Sequence, residues 1–235
     1  MSLNICLIGN LKNPFSSSLL ANFKIHNIKI SQIILEKKVF SKKDKIIFKS
    51  RIKKSFKFNF IENNHKLKNN IIYVDDLNSL KTSNIIKKLK IDFIVQMGLN
   101  KIFRSNLIKS SKYGIVNSHP AILPNFRGCS TVEWSILLNQ PLGITTHLVT
   151  KEIDKGNIIK VKKIKKNKYL SYKDLRTKIL ISQIDHMSKS ICYINKNRNN
   201  FTISKKNNLQ NSYYFRPIND YLLGIVKNKV KKNYY

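Results

Sequence analysis

One segment, Tyr113-Gly-Ile-Val-Asn-Ser-His-Pro120, gives the strongest indication of both the architecture and a functional site. Its apolar first half predicts a buried strand, and Pro120 ends that strand because proline cannot continue a sheet ladder. Asn117 and His119 are two residues apart, so on an extended chain their side chains point to the same side. We therefore expect both to project from the carboxyl end of a strand, where open α/β sheets bind their ligands.

Segments typical of strands and of helices alternate outward from this point. This alternation predicts an α/β fold with a Rossmann-like, doubly wound, mostly parallel sheet. We expect a catalytic domain over residues 1–195 and a short, basic, Tyr-rich C-terminal extension over 196–235. The predicted strands span residues 3–8, 28–35, 71–74, 93–97, 114–119, 143–149 and 158–164. The predicted helices span residues 16–23, 44–58, 79–89, 100–109, 131–138 and 171–194.

Composition narrows the cellular context of the 235-residue chain. No apolar run is long enough to span a bilayer, and the first residues are typical of a strand and not of a signal peptide. The three cysteines, Cys6, Cys129 and Cys192, are widely spaced, which favours a reducing compartment over a disulfide framework or a zinc site. We expect a cytoplasmic protein without a membrane partner, and the apolar helix faces leave a homodimer open.

The formal net charge of +33 raises the question of a nucleic-acid partner. Most basic residues are lysines, and arginine occurs only at positions 51, 104, 127, 176, 198 and 216. Arginine is the better reader of phosphates and bases, so its scarcity argues against specific nucleic-acid binding. Salt-sensitive association with any polyanion is still expected.

Three polar side chains, those of Asn117, His119 and Asp154, form the candidate catalytic group. An amide and an imidazolium can hydrogen-bond a developing oxyanion. A carboxylate beside the imidazole favours its protonated form and can help to remove a proton from an amine. These are the groups needed to pass a small acyl group to an amine.

Three ordered blocks of sequence, Asn117–Gly128, Gly143–Val149 and Ile153–Gly156, resemble the formyltransferases that use 10-formyltetrahydrofolate. The pattern of that family is Asn-x-His-x-x-x-Leu-Pro-x-x-x-Gly, then Gly-x-(Thr/Ser)-x-His, then Asp-x-Gly, and this chain fills every signature position. The resemblance implies the formyltransferase type of Rossmann-like fold. It also implies 10-formyltetrahydrofolate as the formyl donor and a small-molecule amine as the acceptor.

The resemblance also assigns roles to residues of this chain. Asn117 and His119 would hold the formyl oxygen, and Asp154 would lie beside His119 and order a water that relays the proton. No metal ligand is expected. The residues that would bind the donor are Leu99, Asn100, Lys101, Ile102, Phe103 and His147. Arg127, Gly128 and Trp134 are assigned to the acceptor from their place beside the site, with loop fixing by Arg127 and packing by Trp134 as the alternatives.

Three branches of the family share this core and differ in acceptor. Methionyl-tRNA formyltransferases carry an additional C-terminal β-barrel, which we do not expect in the short segment after residue 195. Glycinamide ribonucleotide formyltransferases bind the substrate phosphate with a glycine-rich loop, whereas Leu7–Ser18 contains a single glycine. The segment Phe126–Leu137 most resembles the third branch, which formylates nucleotide-linked amino sugars, so we predict that type of acceptor.

Other functional classes stay open at this stage. The same three catalytic residues would serve a formyltetrahydrofolate hydrolase, although such enzymes carry an N-terminal regulatory domain that we do not expect here. An inactive folate-binding scaffold is a further alternative, because a fold does not guarantee a function. The aromatic run 213–217 is typical either of a packed terminal strand or of a stacking surface for a nucleotide base.

Overall fold

The computed structural model describes residues 3–13, 15–39, 41–56, 70–96, 98–99, 101–165, 171–197 and 212–234. The strands in these ranges are β1 (Ile5–Leu11), β2 (Gln32–Val39), β3 (Ile71–Val74), β4 (Phe93–Gln96), β5 (Ile115–His119), β6 (Phe126–Gly128), β7 (Gly143–Leu148), β8 (Ile158–Lys163) and β9 (Tyr213–Phe215). The helices are α1 (Ser16–Ile25), α2 (Lys42–Arg51), α3 (Leu80–Lys88), α4 (Ser105–Ile108), α5 (Thr131–Leu137), α6 (Tyr172–Lys196) and α7 (Asp220–Lys231).

The main sheet has the strand order β3-β2-β1-β4-β5-β7-β8. Its first five strands pair in parallel, whereas β7 runs antiparallel to β5 and β8 antiparallel to β7. The predicted α/β, mostly parallel sheet is therefore confirmed. The strand order reverses direction around β1 and β4, the position at which doubly wound sheets open a crevice beyond their carboxyl ends.

Helices cover both faces of this sheet, which explains the continuous apolar runs of its parallel strands. Alternate residues of β1 point to opposite faces, so Leu7 and Ile8 belong to different clusters. Leu7 packs with residues of α1 and α6, including Phe23 and Met187. Ile8 packs with residues of α3 and α4, including Ile86. The crevice is thus built on a rigid layer buried from both sides.

The helix predicted over residues 100–109 is wrong for most of its length, since α4 covers only Ser105–Ile108. The side chain of Asn78 takes the hydrogen-bonding groups of the backbone that precedes α4, which would otherwise bond within a helix. Asn78 Nδ2 donates to the Ile102 carbonyl at 2.9 Å, and the Arg104 N–H donates to Asn78 Oδ1 at 2.8 Å. These tertiary bonds hold the segment in a non-helical form at the rim of the crevice.

Two other predicted boundaries are wrong by several residues. The strand predicted over 28–35 is β2, which begins at Gln32, because α1 extends to Ile25 and a left-handed Asn27 (φ 53°) follows it. The helix predicted over 44–58 begins at Lys42, capped by Ser41, and ends at Arg51 because Ile52 is extended. The last two residues of that prediction lie outside the described ranges.

The C-terminal segment 212–234 packs against the rest of the fold. β9 pairs in parallel with β6, as the packed-strand interpretation of the aromatic run requires. α7, which the sequence pattern did not predict, inserts Val226 and Val230 into a cluster with Val132 and Ile136 of α5. No helix within the described ranges combines the length and the apolar character needed to cross a membrane.

Candidate active site

The candidate site lies where β5 and β7 pair at the edge of the parallel part of the sheet. The antiparallel register places Asn117 opposite His147 and His119 opposite Thr145. The turn that follows β7 then brings Asp154 back towards both histidines. Adjacent strands therefore assemble an amide, two imidazoles and a carboxylate.

Asp154 lies between the two imidazoles with a largely buried side chain. Its Oδ2 is 3.5 Å from His119 Nδ1, and its Oδ1 is 3.5 Å from His147 Nε2. The backbone N–H of Gly128 donates to Oδ2 at 2.9 Å. Asp154 has a left-handed backbone (φ 54°), a conformation that aspartate tolerates better than most residues. Its negative charge thus faces both imidazoles.

His119 is buried and makes contacts through both ring nitrogens. Nε2 lies 2.8 Å from the carbonyl oxygen of Phe126, which can only accept, so Nε2 carries a proton and donates it. Nδ1 is the nitrogen that faces Asp154. A second proton on Nδ1 therefore gives an imidazolium that can donate to an oxygen bound beside Asp154.

His147 is buried and is held in one neutral tautomer. Burial lowers the pKa of His147 to about 4, with Asp154 opposing this effect and His119 adding to it. Nδ1 lies 2.8 Å from the Leu148 carbonyl oxygen and so carries the single proton. Nε2 is left to accept, and it lies 3.1 Å from Asn117 Nδ2.

The Asn117 carboxamide is held on both of its polar atoms. Nδ2 donates to His147, and Oδ1 accepts a hydrogen bond from Gln96 Nε2. An amide nitrogen carries two hydrogens, and Asn117 lines a cavity beside the two histidines. The second hydrogen can therefore serve an oxygen bound in that cavity.

A cavity of about 440 Å³ opens over these groups and gathers most of the predicted residues. Asn100 lies outside the described ranges. The predicted residues that line the cavity are Leu99, Lys101, Ile102, Phe103, Asn117, His119, Gly128, His147 and Asp154.

Arg127 and Trp134 are not among the lining residues of this cavity. Arg127 donates to the Ile153 carbonyl at 3.2 Å and to the Ser212 hydroxyl, so it ties the Asp154 turn to the C-terminal segment. Trp134 stacks on Phe215 with ring centroids 5.3 Å apart, and its indole N–H donates to the Arg216 carbonyl. In this structure both side chains support the wall of the site.

Lys101 is held at the cavity rim by two carboxylates. Its ammonium group contacts Glu36, which is buried, and Asp76. Burial opposes the charge, but the hydrogen bonds to Asp76 and Glu36 outweigh that effect and raise the pKa of Lys101. Lys101 therefore stays protonated at neutral pH.

Sequence reasoning missed two lining residues, Gln96 and Cys129, and considered Tyr214 only as part of a possible stacking surface. Gln96 had a signal, because it is a polar residue at the end of the apolar run Phe93–Gln96. Tyr214 reaches the cavity only because β9 pairs with β6. Burial, with Asp154 nearby, raises the pKa of the Cys129 thiol, so this cysteine is a poor nucleophile despite its location.

Comparison with known protein families gives one long match. The model of a family described as formyl transferase matches residues 11–190. The bifunctional polymyxin resistance protein ArnA of Wigglesworthia glossinidia brevipalpis is 34% identical over 159 residues, which cover 67% of this chain and 23% of that protein. The methionyl-tRNA formyltransferase of Finegoldia magna is 29% identical over 122 residues, which cover 52% of this chain and 39% of that enzyme. This chain thus spans well under half the length of these curated relatives.

Solved structures share the fold over most of this chain. An N-formyltransferase from Helicobacter canadensis, solved with folinic acid and dTDP-3-aminofucose, has a TM-score of 0.59 at 24% identity and covers 92% of this chain and 72% of its own. A phosphoribosylglycinamide formyltransferase from Bacillus halodurans has a TM-score of 0.60 at 18% identity and covers 84% of this chain and 99% of its own. At these identities the likeness shows a common fold.

Proposed function

Since the chain belongs to the formyl transferase family, we propose that it transfers the formyl group of 10-formyltetrahydrofolate to the primary amine of an acceptor. The observation that carries this proposal is the convergence of Asn117, His119 and Asp154 on one cavity. Family membership confirms the resemblance found in the sequence blocks. The roles of individual residues and the acceptor are part of the proposal.

The reaction proceeds by direct attack, without a covalent enzyme intermediate. The amine nitrogen forms a bond to the formyl carbon, and the carbonyl electrons move onto the formyl oxygen. Asn117 Nδ2 and protonated His119 Nδ1 hold that oxyanion. The amine proton passes to the Asp154 carboxylate, directly or through one water. The carbonyl then re-forms as the bond from the carbon to folate N10 breaks, and N10 leaves with the proton that Asp154 took from the amine.

The donor side of the cavity fits a flat, partly polar ring system. Leu99 and Phe103 are buried apolar residues of the wall, and Ile102 is exposed at its rim. The backbone beside them is non-helical. The Leu99 N–H bonds Gln96 and the Ile102 carbonyl bonds Asn78, and the other N–H and C=O groups of the segment can serve a heterocycle. The folinic acid complex of the Helicobacter canadensis protein, which shares the fold, supports a reduced folate as donor.

We propose a nucleotide-linked amino sugar as the acceptor. The same neighbour was solved with dTDP-3-aminofucose and shares its fold with 92% of this chain. Tyr214 lies at the cavity and is half exposed, as a residue that stacks on a nucleotide base must be. The three cysteines are free, which suits a reaction in the cytoplasm.

A transfer to charged initiator tRNA is the second candidate, favoured by the match to methionyl-tRNA formyltransferases. Release of tetrahydrofolate from 10-formyltetrahydrofolate tests both. The assay would be run without acceptor and with nucleotide-linked amino sugars, glycinamide ribonucleotide or charged initiator tRNA. Turnover that requires an amino sugar supports the proposal. Turnover that requires another compound identifies that compound as the acceptor instead. Turnover without any acceptor indicates a hydrolase, and folate binding without turnover indicates an inactive scaffold.

His119→Ala is the decisive variant for the mechanism. Loss of one oxyanion donor should reduce kcat by about 100-fold to 1000-fold. His26→Ala is the matched control, because His26 lies outside the cavity beside Asp185, and its activity should stay within about twofold. Turnover of His119→Ala close to that of the wild type would refute the assignment.

A further inference from the structure

Gln96 occupies the last position of β4 and connects two parts of the site. Its Oε1 accepts the backbone N–H of Leu99 at 2.7 Å, and its Nε2 donates to Asn117 Oδ1. The side chain is half-buried and borders the cavity. Gln96 therefore links the donor-binding wall to the carboxamide proposed to hold the formyl oxygen.

The direction of these hydrogen bonds is fixed from the Leu99 end. A backbone N–H can only donate, so the Gln96 oxygen must face Leu99. The Gln96 amide nitrogen must then face Asn117, where it can only meet an acceptor. The Asn117 oxygen is consequently turned towards Gln96, and its nitrogen is turned away.

The same orientation of Asn117 is fixed independently from the His147 end of this chain of hydrogen bonds. The Leu148 carbonyl can only accept, so His147 carries its proton on Nδ1, which lies 2.8 Å from that oxygen. His147 Nε2 then accepts from Asn117 Nδ2 at 3.1 Å. Two backbone groups thus specify one orientation of the Gln96 and Asn117 amides and of the His147 imidazole, against the opposing charge of Asp154 Oδ1, which lies 3.5 Å from His147 Nε2.

We propose that Gln96 is a positioning residue for formyl transfer, which orients the Asn117 carboxamide so that its NH₂ group serves the formyl oxygen. The inference rests on the proposed function for its catalytic consequence. The reverse orientation of Asn117 would place its carbonyl oxygen against the developing oxyanion. Gln96 makes that orientation unfavourable, because two donors would then face each other.

Gln96→Glu tests this role through the pH dependence of turnover. An ionised carboxylate only accepts, so it draws the Asn117 NH₂ group towards itself and turns the Asn117 oxygen towards His147. We expect kcat to fall about 100-fold to 1000-fold relative to the wild type at high pH, with a smaller change in KM for the donor. The ratio of variant to wild-type kcat should recover as the pH falls, because a protonated carboxyl donates as the amide does.

Gln96→Met and Gln183→Glu are the matched variants. Gln96→Met retains the side-chain length but no hydrogen bond, so its kcat should be low at every pH. Gln183 donates to the carbonyl of Ser118, the neighbouring residue of β5, at 2.7 Å. This bond lies outside the chain of hydrogen bonds from Leu99 to Leu148. For Gln183→Glu, the ratio of variant to wild-type kcat should stay the same across the pH range and should not recover at low pH. The same recovery in this control would overturn the proposal, because a nearby charge would then explain it.

A spectroscopic measurement separates this inference from the formyl transfer itself. Nitrogen-15 spectra of the full chain, labelled at its five histidines, report which imidazole nitrogen of His147 is protonated. The wild type should show the Nδ1–H tautomer, with Nε2 accepting a hydrogen bond from Asn117. In ionised Gln96→Glu the Leu148 carbonyl still holds the proton on Nδ1, and Nε2 should show the nitrogen-15 shift of an acceptor that has lost its hydrogen bond, with the signal assigned through His147→Gln. An unchanged Nε2 shift overturns the proposal. If the wild type transfers no formyl group, the proposed function fails, and the Nε2 shift still decides whether Gln96 orients Asn117.

Discussion

Mild acid should destabilise this fold through one buried imidazole, that of His147. A histidine in the unfolded chain titrates near 6.5, whereas burial lowers the pKa of His147 to about 4 in the fold. The unfolded chain therefore takes up a proton that the folded protein excludes. The contribution of His147 to stability is complete above pH 6.5 and is lost progressively as the pH falls towards 4.

The size of the effect follows from the interval between these two pKa values. One unit corresponds to about 1.4 kcal/mol, so the full loss below the folded pKa is about 3 kcal/mol. At pH 5 the loss is about 2 kcal/mol, because the unfolded histidine is almost fully protonated there and the folded one is not. Protonation in the fold would also place a proton on Nε2 against the Asn117 N–H, so kcat should fall in the same acid range.

Urea unfolding at about pH 7.5 and about pH 5 measures this loss. The drop in unfolding free energy should be about 2 kcal/mol smaller in His147→Gln, which removes the titrating group and retains an acceptor for Asn117. His186→Gln is the control. Burial also lowers the pKa of His186, so His186→Gln should reduce the drop in unfolding free energy only by the part that His186 itself contributes. An identical drop in the wild type and in His147→Gln would refute the reasoning.

Three further predictions concern the walls of the site and the core below it. Gly156→Ala should cost about 1–3 kcal/mol of stability in urea unfolding, because a Cβ there would lie 1.7 Å from the Leu148 carbonyl oxygen; unchanged stability would contradict the packing. Glu133→Gln should cost about 3 kcal/mol in the same assay. This fully buried carboxylate faces Arg51 and Arg176 at 3.8 and 3.4 Å and accepts a hydrogen bond from the Tyr172 hydroxyl at 2.5 Å. A neutral effect would show that the charge is dispensable. Tyr214→Ala should raise KM for a nucleotide-linked acceptor about tenfold or more while Tyr214→Phe does not; equal changes in both variants would exclude stacking.

Local patterns predicted two elements closely. The strand predicted over 71–74 matches β3 (Ile71–Val74). The helix predicted from Ser171 matches α6, which begins after Ser171 with a capping box formed by Ser171 and Asp174. Such elements are encoded by periodicity and by capping within a few residues. The helix predicted over 100–109 failed because a distant side chain, that of Asn78, takes its backbone hydrogen bonds.

The sequence by itself determined the class of fold and the family and singled out Asn117, His119 and Asp154 as candidate site residues, because strand periodicity and the spacing of the three blocks are local properties. Only the tertiary structure decided how these residues are held. The contacts of Gln96 with Asn117 and of Gly128 with Asp154 depend on the pairing of distant segments, and Tyr214 joins the cavity because β9 pairs with β6. The sequence specifies on which face of its strand each side chain lies. Which neighbour that side chain contacts depends on strand register and on packing across the whole molecule.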